Sequence, residues 1–430
     1  MSFSDLGLSA ELLRAVSDQG YDTPTPIQAK AIPIIIAGHD VMASAQTGTG
    51  KTAAFTLPLL QRLGAANNGG KRRVRMLVLA PTRELADQVA ESVRTYGRHQ
   101  QLRTAVIYGG VNIRPQINAL QAGVDIVVAT PGRLIDHLDR RTVDLSAVET
   151  VVLDEADRML DMGFIKPMER ILGQVPKTRQ TLLFSATFSD GIRKLAQRFL
   201  RSPEVIEVAR NNSAAESVAQ EAHWVDRGRK RELLSHLIGA NNWRQVLVFT
   251  RTKRGADRLA LQLSQDGIDA MAIHGDKSQG QRTRALTAFK RQRVRALVAT
   301  DVAARGIDID RLPHVVNYEL PDNAEDYVHR IGRTGRGGQQ GSAISLVAGD
   351  ERGQFAAIQK LVSGNLKATV VPGFEPSPGS DRAPRPEARR GKPRPASPRA
   401  GRPPHKGLAP QGAARNGRQK PGRGASRKSV

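Results

Sequence analysis

The chain has 430 residues, enough for two or three domains, and carries 65 Lys and Arg against 41 Asp and Glu, a formal net charge of +24. The absence of cysteine excludes disulfide frameworks, cysteine-ligated zinc and thiol nucleophiles, while the basic excess points to a polyanionic partner, although a basic surface alone fits nucleic acid, anionic lipid or simple solubility. No basic segment precedes an apolar one at Met1–Leu6, and the longest apolar run, near Ile32–Ala37, contains Pro33 and is far too short for a bilayer, so a cytoplasmic protein is expected.

In chain order, short apolar runs of strand length alternate with stretches of helical spacing. They fall at Val41–Ala45, Met76–Ala80, Thr104–Tyr108, Ile126–Ala129, Val151–Leu153 and Leu182–Phe184, then at Val246–Thr250, Ala270–Ile273, Ala296–Ala299, Val315–Tyr318 and Ala343–Val347. Alternating strands and helices predict α/β domains with parallel sheets covered on both faces. The polar stretch 209–220 between the two series reads as a linker joining a domain over 1–208 to another over 221–371. An internal echo suggests duplication: two apolar runs end in Thr82-Arg83 and Thr250-Arg251, 168 residues apart, and Val128-Ala129-Thr130 recurs as Val298-Ala299-Thr300, 170 residues apart. From Pro372 onward lie eleven Arg, four Lys, three acidic residues, twelve prolines and one aromatic, Phe374. That composition cannot bury enough apolar surface to offset ordering entropy, and predicts a disordered basic tail over 372–430. Its dominance by arginine favours a nucleic-acid tether over a solubilising extension.

Ala45-Gln46-Thr47-Gly48-Thr49-Gly50-Lys51-Thr52 follows the first run and precedes a helical stretch, the setting a phosphate-binding loop needs. Gly48 and Gly50 let backbone N–H groups approach phosphate oxygens, Lys51 supplies a point charge, and the Thr52 hydroxyl can ligate magnesium. The general pattern wants glycine where Ala45 stands, and a glycine-rich turn is the plainer alternative. Val152-Leu153-Asp154-Glu155-Ala156-Asp157 runs an apolar strand into carboxylates. Asp154 is placed to hold a magnesium hydration shell and Glu155 to reach an attacking water; a solvated acidic loop is the alternative. In the second series, His329-Arg330-Ile331-Gly332-Arg333-Thr334-Gly335-Arg336 sets two arginines three apart. On a helical turn Arg333 and Arg336 would be presented together to a triphosphate held by the first domain; taken in isolation, the motif reads as a basic surface turn.

Taken together these residues resemble the DEAD-box RNA helicases, and Asp154-Glu155-Ala156-Asp157 spells the family name. The resemblance spans roughly residues 3 to 362, and Ala45 is the family's usual residue at its place. Phe3, Gly20-Tyr21, Thr25-Pro26 and Gln28 look like the Q motif, Pro81–Ala86 like motif Ia, Gly109-Gly110 like the GG doublet and Thr130–Arg133 like motif Ib. Ser185-Ala186-Thr187 resembles motif III, Val248–Thr252 motif IV and Ala299–Asp308 motif V, while wording near Met159–Phe164 and His274–Arg284 is similar to the bacterial RhlE type. The resemblance implies two RecA-like domains, ATP and Mg2+ as cofactors, and RNA as partner. It places Gln28 at the adenine edge, where an amide donates and accepts at once, Tyr21 on the ring and Asp308 at the ribose. Asp157, Ser185, Thr187 and His329 are implied in coupling nucleotide state to closure. Pro81, Thr82, Arg83, Gly110, Thr130, Gly132, Arg133, Arg251, Thr300 and Asp301 mix small residues, hydroxyls and guanidinium groups, which suits phosphate and sugar contact without base readout.

The reading that follows is an RNA-dependent ATPase that separates short duplexes locally or remodels RNA–protein complexes. Its rivals are an RNA-binding or annealing protein whose ATP cycle only times release, and an ATPase acting on protein complexes without RNA.

Overall fold

The computed structural model describes residues 1–45, 49–64, 72–208, 218–304, 309, 312–335, 340–362 and 366–377. Among them are two seven-stranded sheets in which every adjacent pair is parallel. The first contains β1 (Val41–Ser44), β2 (Met76–Leu79), β3 (Thr104–Ile107), β4 (Ile126–Ala129), β5 (Thr150–Leu153), β6 (Gln180–Ser185) and β7 (Glu204–Glu207). The second contains β8 (Val218–Trp224), β9 (Val246–Thr250), β10 (Ala270–Ile273), β11 (Ala296–Thr300), β12 (His314–Asn317), β13 (Gly341–Val347) and β14 (Ala368–Val370). Their orders, β3-β4-β2-β5-β6-β1-β7 and β10-β11-β9-β12-β13-β8-β14, match place for place. The strands that carry the echo, β2 with β9 and β4 with β11, sit third and second in their own sheets, so the echo marks a duplicated architecture.

Each sheet is buried on both faces, which is why its strands read as near-continuous apolar runs. Side chains alternate between faces: Met76 and Val78 enter one core of the first domain, Leu77 and Leu79 the other. In the second domain Leu247 and Phe249 face one core, Val246 and Val248 the other.

Three strands were not expected. β7 buries only Ile206 between Glu204 and Glu207, and β14 has three residues. β8 mixes Gln220, Glu221 and His223 with its few apolar residues and starts at Val218, inside the stretch read as linker; the rest of that stretch, 209–217, lies outside the described residues. The first residues read as tail also belong to the second domain. The Arg229 guanidinium lies 4.8 Å from the Phe374 ring centre and donates to Gly373 O at 2.8 Å, and Ser377 Oγ donates to Asp226 at 2.6 Å. Residues 378–430 lie outside the described residues.

The order of the first sheet divides its C-terminal edge, where ligands bind in parallel α/β sheets. β5, β6 and β1 end at Asp154, Ser185 and the phosphate loop, whereas β4 and β2 end at Thr130 and at Pro81-Thr82. In the second sheet β9 and β11 end at Thr250 and Thr300, in the places of β2 and β4.

Candidate active site

β1 leads into buried Ala45, and Lys51 opens the helix Lys51–Gly64. The lysine is itself buried, its Nζ donating to Ala45 O at 2.8 Å, which holds the ammonium across the base of the loop. Gly50 is left-handed at φ 87°, and a Cβ there would run into the Gln28 amide, so glycine is required for both conformation and space. That amide donates to Gly50 O at 3.2 Å and accepts from Thr25 N at 2.9 Å, the second bond closing a capping box on the helix Pro26–Ile36. Gln28 therefore ties a helix start to the phosphate loop. Tyr21 is exposed, Phe3 is part of the hydrophobic core, and Thr49 and Thr52 flank Gly50 and Lys51. Gln46, Thr47, Gly48, Asp308 and Arg336 lie outside the described residues.

Asp154 follows β5 and is buried; burial pushes its carboxyl up to about 7, with Lys51 opposing the rise and Glu155 and Asp157 adding to it. A buried oxygen donor crowded by other acids suits a hard divalent cation. Glu155 has left-handed backbone, φ 48° and ψ 53°, at the N-cap of the helix Ala156–Asp161. Few non-glycine residues adopt it, and such strain gathers at functional sites. Burial alone would raise the Glu155 carboxyl, yet Arg158, then Arg333 and Lys51, outweigh it and hold the group below its ordinary pKa. Arg158 bonds the carboxylate directly, Nη1 donating to Glu155 Oε2 at 2.8 Å.

Arg333 comes from the second domain, so Glu155 senses both. It does not sit on a helix as expected: the helix Ala324–Ile331 stops at Gly332, Gly335 takes φ 68°, and Arg333 is buried in the intervening turn with Nε donating to His329 O at 3.3 Å. Gly335 takes a left-handed backbone that few other residues adopt, and it closes this turn. In motif III, Asp157 accepts from Ala186 N at 2.9 Å, while Ser185 Oγ donates to Thr187 O at 2.8 Å. The acidic strand end and the Ser-Ala-Thr turn are thus joined through backbone, the two hydroxyl residues staying within their own turn.

At the other strand ends, Thr82 caps the helix Arg83–Tyr96 by accepting from Leu85 N at 3.3 Å, and Thr130 precedes the helix Pro131–Asp139, where Gly132 is exposed. Arg133 donates to Val111 O at 3.3 Å, and Arg251 pairs with Asp322 at 3.3 Å. Asp301 is committed elsewhere, both its oxygens accepting from Arg330 at 2.6 and 2.7 Å. Arg83 lies against Gly110, which is left-handed at φ 77° and whose Cβ would occupy the guanidinium's place. Its Nη1 reaches across to Gln279 Oε1 at 3.2 Å. Beside it, buried Glu84 accepts from Gln279 Nε2 at 3.1 Å and from Arg282 Nη2 at 2.7 Å. Motif Ia is therefore bonded directly to the helix Gln279–Lys290 of the second domain.

A DEAD/DEAH box helicase family model matches residues 25–195 and a helicase conserved C-terminal domain model matches residues 229–338. The DEAD-box ATP-dependent RNA helicase CshA of Geobacillus kaustophilus is 45% identical over 371 residues, covering 86% of this chain and 79% of that one. This chain belongs to the DEAD-box ATP-dependent RNA helicases. It is an ATP-hydrolysing enzyme that unwinds or remodels RNA. CshA of Listeria monocytogenes is 44% identical, covering 87% of this chain and 71% of its own. Among solved structures, Dbp5 of S. cerevisiae bound to RNA and ADP BeF3 matches with a TM-score of 0.78 at 33% identity, covering 86% of this chain and 95% of that one. Mss116p bound to ssRNA and AMP-PNP matches with a TM-score of 0.77 at 29% identity, covering 86% and 80%. These relatives support the family; the CshA name gives no support to the narrower RhlE type.

Within this DEAD-box frame, sequence reasoning missed Glu84, Gln279, Arg282, Arg158 and Arg330. Glu84 stands inside the motif Ia wording, but nothing in a linear pattern distinguishes a solvated carboxylate from one buried against another domain. Breaking a buried ion pair from one side leaves the other charge uncompensated, at a cost of about 3–5 kcal/mol. Because this pair spans the domains, the cost falls on the closed arrangement. Glu84→Ala is expected to raise the RNA concentration for half-maximal ATPase by about tenfold or more, with each domain still folded. An RNA titration of ATP hydrolysis checks this.

Proposed function

We propose that ATP binds at the cleft between the two domains, with Gln28 and Tyr21 at the adenine, Asp308 at the ribose, and residues 45–52 around the phosphates. Asp154 and Thr52 would hold Mg2+, which when bound supplies positive charge to the phosphate oxygens. Glu155 orients the attacking water and accepts its proton, and Arg333 with Arg336 stabilises charge on the transferring phosphoryl group. One observation carries the reading: buried Glu84 of the first domain is bonded to Gln279 and Arg282 of the second, so the domains meet, and Arg333 of the second helps hold the Glu155 carboxyl of the first below its ordinary pKa. A site built from both domains is complete only when they meet, which makes hydrolysis answer to whatever draws them together.

RNA is that agent, held on phosphates and sugars at the strand ends carrying Pro81, Thr82, Arg83, Gly110, Thr130, Gly132, Arg133, Arg251 and Thr300, while Asp301, read with them from sequence, has both carboxylate oxygens committed to Arg330. Asp157, Ser185, Thr187 and His329 couple its arrival to the nucleotide. We place the protein in the cytoplasm; assignment to the RhlE type rests on its two stretches of similar wording alone. Strand separation of a short RNA duplex, followed with ATP and with a non-hydrolysable analogue, tests the reading. ATP-dependent loss of duplex supports it, whereas net annealing, or hydrolysis indifferent to RNA, would favour a binding or protein-remodelling role.

The segment 378–430, with fifteen basic residues, is proposed as an RNA tether. Ending the chain at Ser377 retains the Phe374 contact and should leave hydrolysis at saturating RNA near normal. Each lost phosphate contact should flatten the dependence of log affinity on log salt by roughly 0.7 on single strands. RNA binding by both chains at several salt concentrations measures this; equal slopes would make the segment a solubility device.

A further inference from the structure

Arg158 is buried beside Glu155, and its second bond reaches beyond that residue. Burying a guanidinium is costly unless its donors find acceptors, and two of those acceptors come from different domains. Nη1 donates to Glu155 Oε2 at 2.8 Å, and Nη2 reaches Val302 O at 3.4 Å. Val302 belongs to the helix Asp301–Ala304, which directly follows β11. That helix is fixed from within the second domain: Asp301 is gripped by both ends of the Arg330 fork, and Arg330 Nη1 also donates to Glu319 O at 2.6 Å. Arg330 lies on the helix Ala324–Ile331, whose end leads directly to Arg333.

One packed unit of the second domain therefore approaches Glu155 by two routes, through Arg333 and through Val302 to Arg158. We infer that Arg158 is a positioning residue that aims the Glu155 carboxylate and makes this aim depend on the arrival of the second domain. The inference rests on the assignment of Glu155 as general base. The Arg158 bond holds one Glu155 carboxylate oxygen, and a planar fork suits this task because it bonds a carboxylate and a carbonyl at once. Separation of the domains removes the Val302 contact and the field of Arg333 together.

The test compares wild type, Arg158→Ala, Arg158→Lys, Glu155→Gln and the Arg158→Ala/Glu155→Gln double variant in steady-state ATP hydrolysis with and without single-stranded RNA. A misplaced general base costs up to about a hundredfold, so Arg158→Ala should lower the RNA-stimulated kcat by about tenfold to a hundredfold. Its KM for ATP should stay within about threefold, and the ratio of stimulated to basal rate should fall. Arg158→Lys should recover part of kcat, because an ammonium can meet Glu155 without bonding both acceptors. In the Glu155→Gln background Arg158→Ala should cost less than about twofold more, as residues acting through one group are not additive. Full additivity, equal loss of basal and stimulated rates, or a raised KM at unchanged kcat would overturn the inference. If Arg158→Ala fails to fold, Arg158→Lys carries the test, and unchanged kcat there overturns it. Near-normal turnover in Glu155→Gln alone would instead remove the base assignment, and this inference with it.

Discussion

Arg333→Ala is expected to lower RNA-stimulated ATP hydrolysis by about a thousandfold or more, the lower end of what a transition-state arginine supplies. Arg333 is buried in a turn beyond the helix Ala324–Ile331, its Nε held by His329 O, and its charge reaches Glu155 across the cleft. A group acting only when the domains meet contributes little to ATP bound by the first domain, so KM for ATP should move far less than kcat. Arg333→Lys should rescue little, since an ammonium lacks the planar fork. Measured kcat and KM decide the matter: equal losses through KM would make Arg333 a ground-state binding residue, and near-normal kcat would remove it from the chemistry.

Glu155→Gln should cost about 10² to 10⁴ in kcat, the usual contribution of a general base. Glutamine keeps the size of the side chain and can still accept from Arg158 through its carbonyl oxygen, so the site should stay assembled. What disappears is a carboxylate that Arg158, Arg333 and Lys51 hold ionised against its burial. The variant should bind ATP and RNA together and release them slowly, a state visible as RNA retained in the presence of ATP but not without it. Lys51→Ala, by contrast, should weaken nucleotide binding itself. Single-turnover hydrolysis with RNA retention separates the two, and rapid turnover by Glu155→Gln would contradict its assignment.

Much of this architecture is legible before any coordinates. Strands such as Val246–Thr250 are buried on both faces and so appear as uninterrupted apolar runs, and the Thr-Arg echo locates equivalent strands because the two sheets share one order. β8 escaped because Gln220, Glu221 and His223 interrupt it, and β7 because as an edge strand it needs one buried side chain only. In the site, Lys51 and Asp154 can be read from local pattern, since loop and strand end are continuous in sequence. The cross-domain contacts cannot be read that way. Glu84 meets Arg282 over 198 residues and Arg158 meets Val302 over 144, and nothing local marks a charged side chain as buried against a distant one. Gln28 shows a related limit: its amide chemistry suits adenine, yet its bonds to Thr25 and Gly50 are visible only in the fold.

If hydrolysis waits for RNA to bring the two domains together, the nucleic acid present should set its rate. ATP turnover by the full chain should be measured with single-stranded RNA, single-stranded DNA of the same sequence, duplex DNA, and no nucleic acid. A low basal rate that rises strongly with RNA and little with either DNA is the predicted result. A basal rate equal to the RNA-stimulated one would contradict the account.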